Sequence, residues 1–242
     1  MVFRAAALVM LTTLLHYTRY LHIVAGFIGF FVAPVALAVR KGGAAHRRWG
    51  QVFFWAMVVA GLTAILNASF KGMTFLLLTG IFSLYLAIFG YRSLYQKHLA
   101  VGRDQGARAA LFDWLLAGAG LLVFSGTLGY GALTGLIPAI VFGLIGVLTT
   151  GRQLAAFWQR GPWPAGQWLL NHMSGFVGAY IAAVSAFSAT SLHFIPGPWN
   201  FLWPTLVMVP PLAWASRRYK ARFRQGQQPS EVVEVRIQPT MA

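Results

Sequence analysis

The chain has 242 residues, 58% hydrophobic and 10% charged, with a mean hydropathy of +0.65. A water-facing surface needs about 25% charged residues, so this composition excludes a soluble enzyme, a disordered chain and a collagen-like one. Nineteen Lys and Arg against four acids give a net charge of +15, and these bases flank apolar segments instead of forming a nucleic-acid-binding stripe. The absence of cysteine excludes disulfides, thiolate metal sites, iron–sulfur ligation and a cysteine nucleophile. The composition specifies an all-α polytopic membrane protein whose first partner is the lipid bilayer.

A helix needs about 20 mostly apolar residues to cross ~30 Å of hydrocarbon. Seven segments qualify in chain order: Tyr20–Val39, Gln51–Phe70, Met73–Leu94, Ala109–Gly129, Ala132–Thr150, Trp168–Leu192, and a shorter one from Trp199 to Ala215. A tight turn at Tyr130-Gly131 is expected between the fourth and fifth. Pro204, Pro210 and Pro211 should kink the seventh. Ala5–Leu15 is apolar but too short to span, and no small-x-small cleavage site follows it. It is expected to extend the first helix outward or to lie at the interface, within an outer segment over 1–19. Residues 1–224 read as one transmembrane domain. The polar tail Gln225–Ala242, with Pro229 and Pro239, is expected to be disordered.

Loop charges set the expected orientation. Sixteen bases lie on one side: Arg40, Lys41, Arg47, Arg48, Arg92, Lys97, Arg103, Arg108, Arg152, Arg160 and six from Arg217 to Arg236. Only Arg4, Arg19 and Lys71 lie on the other. The positive-inside rule then predicts an N-out, C-in bundle of seven helices. The run RRYKARFR should sit against anionic lipid as a topology anchor. Tryptophans at span ends (Trp49, Trp163, Trp168, Trp199, Trp214) fit an aromatic belt. No P-loop, GxGxxG, GxSxG or HExxH occurs, and the halves share no repeat.

Ionisable groups inside a bilayer are costly, which makes each a candidate functional residue. His22 lies just inside the outer end of the first span, and His172, beside Asn171, just inside the inner end of the sixth. Gly26, Gly29 and Ala33 follow His22 at offsets of four, seven and eleven. Gly175, Ala179 and Ala183 follow His172 at three, seven and eleven. An imidazole heading a stripe of small residues suits a b-type haem, which needs an axial ligand and bare backbone beside a flat macrocycle. The same stripe equally suits close helix packing. His22 and His172 are separated in depth by roughly 15–20 Å, so they cannot share one iron. A haem would pair His172 with His46, and a second would pair His22 with His193 or His16. Against two haems, no helix carries the paired histidines, about four turns apart, of two-haem bundles.

A second constellation gathers at the inner ends of the second, fourth and sixth spans: His46, Arg47, Arg48, Asp113, Asn171 and His172. His46, Asp113 and His172 should converge in one cleft lined by Arg47 or Arg48, with Asp113 paired to Arg47, Arg48 or Arg108, or else accepting a proton or anchoring an anion-binding basic cleft. An outer group of Tyr17, His22, Asn67, Lys71, Tyr130 and His193 could hold a metal or polar headgroup. His16 and His22, six residues apart, face different ways and make a poor metal clip.

The segment KGGAAHRRWGQVFFWAMVVAGLTA resembles a family of bacterial multi-pass membrane proteins catalogued as a domain of unknown function. In that family a His-Ile-Val-Ala-Gly span leads into a Lys-Gly-Gly…His-Arg…Gly loop, matched here by His22, Gly26, Lys41, Gly42, Gly43, His46, Arg47 and Gly50 over Tyr20–Ala64. The resemblance implies a bacterial cytoplasmic membrane and no particular activity. Two functions fit the residues. One is a haem-b-type redox protein, using His22, His46, His172 and His193 with a quinone or electron-transfer partner. The other is a non-redox transporter or small-molecule-binding protein, with a polar cavity between helices one, two, four and six.

Overall fold

The computed structural model describes residues 2–100, 108–159 and 162–233. Arg103, Arg160, Arg236 and the tail from 234 onward lie outside the described residues, and the topology expectation for them stays at the level of sequence. The described elements are helical: α1 (Val2–Ala38), α2 (Ala44–Lys71), α3 (Thr74–Ser93), a 3-10 turn at Lys97–Ala100, α4 (Leu111–Thr134), α5 (Ile137–Trp158), α6 (Gln167–Ser191), α7 (Trp199–Arg224) and a short α8 (Pro229–Val232). Six of them, within α1 to α6, are long and apolar enough to cross a membrane. Outward-facing leucines such as Leu122 and Leu133 on α4 and Leu144 on α5 give the bundle the apolar exterior of a multi-pass membrane protein.

Several boundaries move for local physical reasons. The Ala5–Leu15 segment belongs to one uninterrupted α1 of 37 residues, roughly 55 Å long. The turn expected at Tyr130-Gly131 is displaced: α4 runs on to Thr134, and Gly135, at φ 70°, ends it. Only a residue without Cβ adopts that left-handed conformation cheaply. Gly131 is instead a packing glycine, where a Cβ would lie 2.6 Å from the Ile140 amide nitrogen. Within the tail expected to be disordered, Pro229–Val232 forms a helical turn. This turn, α8, is closed by a reciprocal Gln228–Glu231 capping box. Val233 packs with Trp168, Leu169 and Phe223. Trp163 and Trp168 are buried, not part of an interfacial belt, whereas Trp49, Trp199 and Trp214 are exposed.

α3 is the central element, packed on α2 and α6 and reaching the α4–α5 hairpin; α1 packs on α2, and α7 on α6. Phe82, Tyr85, Phe89, Phe124, Ala179 and Tyr180 form part of the main core. Pro34 inside α1 has no N–H, so the Phe30 carbonyl four residues earlier loses its helical donor. The Tyr180 hydroxyl donates to that carbonyl at 3.1 Å and ties α6 to α1. α7 carries Pro204, Pro210 and Pro211 without interruption of the helix, and the Trp203 indole N–H donates to Ser188 Oγ on α6 at 2.8 Å.

α3 and α6 cross closely. A Cβ at Gly175 would fall 2.5 Å from Gly90 Cα, and one at Gly90 would fall 2.6 Å from the Phe176 ring. The stripe below His172 takes part in helix packing: Gly175 meets α3, and Ala179 is fully buried. On α1, Gly29 approaches Met57 and Ala56, while a Cβ at Gly26 would meet nothing within 4 Å. Gly175→Ala should accordingly lower the melting temperature in detergent by separating α3 from α6, at a cost of about 1–3 kcal/mol. Gly26→Ala should leave it unchanged or raise it slightly, and equal melting of the two variants would contradict the packing described.

Candidate functional site

Two imidazoles meet at the Arg/Lys-rich end of the bundle. His46 lies in the first turn of α2, and its Nδ1 is 2.8 Å from the Ala36 carbonyl. His172 lies near the start of α6, with Nδ1 3.0 Å from the Gly90 carbonyl. Both acceptors sit in the last turn of a helix, α1 and α3 respectively, where carbonyls have no helical donor. A carbonyl only accepts, so each ring must carry its proton on Nδ1, which leaves a lone pair on Nε2.

The ring centroids lie 6.3 Å apart with planes at 78°. A metal–imidazole bond of ~2 Å, plus about 1.1 Å from nitrogen to centroid, places two rings on one metal about 6 Å apart. The observed separation meets that requirement. Among the described residues no group of three or more His, Cys, Asp or Glu could hold a bare ion. Among the described residues, two imidazoles alone would serve a metal that brings its other ligands with it.

Beside the rings is a cavity of about 420 Å³ between α1, α2, α3, α6 and α7, within the ~300–1,000 Å³ usual for small-molecule and cofactor sites. Phe53, Phe176 and Tyr180 form its deep wall, with Phe53 and Phe176 rings 5.4 Å apart and Phe176 4.6 Å from His172. Tyr180 is eight residues along α6 from His172, so the wall reaches roughly 12 Å into the span. Lys41, Arg47 and Lys97 stand at its basic end, and Val233 also lines it. Lys41 donates to the Leu37 carbonyl, and Arg47 to that of Gly42. The Lys97 ammonium lies 4.9 Å from the centre of the Trp168 ring.

The remaining residues of the inner constellation lie elsewhere. Asp113 does not pair with Arg47, Arg48 or Arg108. It is buried against α3, where Arg92 Nε and Nη2 donate to its two oxygens at 2.9 and 3.1 Å. Neither Asp113 nor any other residue of α4 lines the cavity, so the helices around it are one, two, three, six and seven. Arg48 is exposed and borders a shallow groove on the α1–α2 face. Asn171 accepts from Gln167 Nε2 at 2.7 Å along α6.

At the opposite end, His22 Nδ1–H donates to the Ala60 carbonyl at 2.9 Å, beside Thr63 Oγ1 at 3.3 Å. Nearby, Asn67 Nδ2 donates to Thr18 Oγ1 at 3.1 Å. His16 makes ring contacts with Tyr17 and Tyr20, and His193 is exposed in the α6–α7 connection. Among the described residues no contact joins His22 to His16 or His193, so the expected outer pairing is not assembled.

The aromatic wall was open to sequence reading and was missed. His172, Phe176 and Tyr180 recur every four residues, and His46, Gly50 and Phe53 follow a helical face. No family model, curated protein or solved structure matches the chain.

Removing one partner of a buried pair leaves a charge without its counterion. Asp113→Ala is expected to cost ~3 kcal/mol, the low end of that effect because Arg92 is partly exposed. Arg92→Met with Asp113→Leu should recover most of it. Thermal unfolding in micelles decides; a double variant as unstable as the single one would show that the pair does more than neutralise itself.

Proposed function

We propose that this chain is a haem-b-type electron-transfer protein of a bacterial cytoplasmic membrane, holding one haem between His46 and His172. The observation that carries the reading is the 6.3 Å separation of two imidazoles whose Nδ1 protons are both committed to backbone carbonyls. Carbonyl acceptors on Nδ1 fix ring orientation and raise the basicity of Nε2, the usual outer-shell arrangement for a ligating histidine. A macrocycle would supply the further ligands that the described residues do not. The bound haem would provide one-electron redox chemistry.

The chain's own part is to orient and to exclude. Phe53, Phe176 and Tyr180 offer an apolar wall that keeps water from the site. A low-dielectric surround of this kind sets a redox potential together with the axial ligands. A single site near one face hands electrons to a partner on that side, such as a quinone or a soluble carrier; His22, without a second imidazole, is not part of it.

Purified protein from haem-supplemented cells should show a Soret band that shifts on dithionite reduction. His46→Ala and His172→Ala should each abolish the six-coordinate spectrum, while His22→Ala should retain it. A colourless preparation from haem-replete cells would overturn the redox reading and leave a non-redox small-molecule site in the same cavity.

The proposed topology takes α7 as the seventh span, its 26 residues reaching roughly 39 Å, with the N-terminus outside and the basic end cytoplasmic. A C-terminal green fluorescent protein fusion should then glow. Dark cells with an active alkaline phosphatase fusion at that end would reverse the orientation.

A further inference from the structure

The outer face of the α1–α2 pair carries a second concave surface, apart from the cavity between the histidines. We propose that this groove binds one anionic phospholipid, with an acyl chain lying along it and the phosphate on Arg48.

The groove follows from how small and large residues are placed on two packed helices. Ala25 of α1 and Ala56 of α2 are buried and form its floor, while Val24, Ile28, Val52 and Trp55 stand exposed as its rims. A Cβ at Gly29 would lie 3.7 Å from that of Ala56, so the two helices are in close contact beneath it. Bonds from His22 to the Ala60 carbonyl and from His46 to the Ala36 carbonyl tie α1 to α2 at either end. The groove is therefore held at a fixed width before any lipid arrives. Its volume is about 620 Å³. From Arg48 to Val59 it runs eleven residues along α2, or roughly 16 Å. That is about half of the ~30 Å hydrocarbon core, the reach of one acyl chain in one leaflet.

The basic end supplies the headgroup contact. Successive helical residues point about 100° apart, so Arg47 lines the cavity while Arg48 is exposed at the groove. The described lining of the groove includes no Asp or Glu, and among the described residues no ion pair joins Arg48 to an acid. A guanidinium offers a planar fork that matches phosphate with two parallel hydrogen bonds. Gln51, about one turn further along α2, is also exposed and offers amide N–H donors at the level of the glycerol esters. The groove is shallow and open along its length, which leaves the second acyl chain in the bilayer. A cation at the interface and a one-chain channel behind it together select a phospholipid whose headgroup adds no positive charge of its own.

The test reconstitutes the full chain in phosphatidylcholine bilayers and adds dibrominated phosphatidylglycerol, phosphatidylcholine or stearate in rising mole fraction. Bromine quenches tryptophan on contact, and the Trp55 share is the difference between the chain and its Trp55→Phe variant. Phosphatidylglycerol is expected to half-quench Trp55 at about fivefold lower mole fraction than phosphatidylcholine, the attraction of one basic side chain to an anionic surface. Arg48→Gln should bring the two curves together, whereas Arg217→Gln with Arg218→Gln should leave them apart. Trp55 and Arg48 are both exposed, so neither substitution opens the core. Equal quenching by the two phospholipids would overturn the site. A preference that follows Arg217 and Arg218 instead of Arg48 would overturn it as well, by tracing the effect to the general charge of that end. Stronger quenching by stearate than by phosphatidylglycerol would assign the groove to a single-chain lipid and overturn the phospholipid.

Discussion

Every helix that ends inside a bundle leaves carbonyls without donors, and an unmet carbonyl away from water costs free energy comparable to a lost hydrogen bond. At the Arg/Lys-rich end, α1 and α3 finish side by side with the starts of α2 and α6. Their last-turn carbonyls are met by side chains: Ala36 by His46, Leu37 by Lys41, Gly90 by His172. Histidine differs from lysine here in what remains. Once Nδ1–H is committed to the carbonyl, the ring still presents an unprotonated nitrogen on its other edge. A stability requirement of the helix ends thus fixes both the tautomer and the direction of two metal-competent nitrogens.

That outcome depends on how closely α3 approaches α6. With glycine at both Gly90 and Gly175 the backbones nearly touch, and His172, one turn earlier on α6, then reaches the Gly90 carbonyl. Larger residues would widen the gap, break the bond and free the imidazole to rotate. The small residues that a sequence reading assigns to the flank of a macrocycle act at one remove. They place the histidine, and aromatic side chains make the wall.

The spans were legible because apolar runs of the right length are bracketed by bases, and a helix is the form in which one chain segment meets all its own backbone bonds in lipid. The meeting of His46 and His172 was legible for a related reason, since both lie near the same end of their spans. What composition could not supply was the role of each glycine. Gly131 and Gly135 are four apart and chemically identical, yet one admits Ile140 and the other adopts a positive φ. The partner of Asp113 was hidden for a different reason. Arg92 closes an apolar run and so looks like a topology charge, and only the tertiary packing of α3 on α4 turns its side chain inward. In the tail, Val232 and Val233 form an apolar pair in a polar segment, a signal outweighed by the prolines around it.

The last turn of α3 shows how one short segment can serve several neighbours. Successive residues of a helix point about 100° apart, so Gly90, Tyr91 and Arg92 face three directions. Gly90 offers its carbonyl to α6. Tyr91 lines the cavity, stacked on Phe54 of α2 at 4.1 Å. Arg92 grips Asp113 of α4 with both oxygens engaged, its guanidinium 5.2 Å from the Phe112 ring. The α4–α5 hairpin contributes nothing to the cavity lining, yet it is clamped to the same turn that holds His172. The ion pair that holds α4 and the carbonyl that holds His172 thus lie two residues apart on one helical turn, outside and inside the cavity respectively.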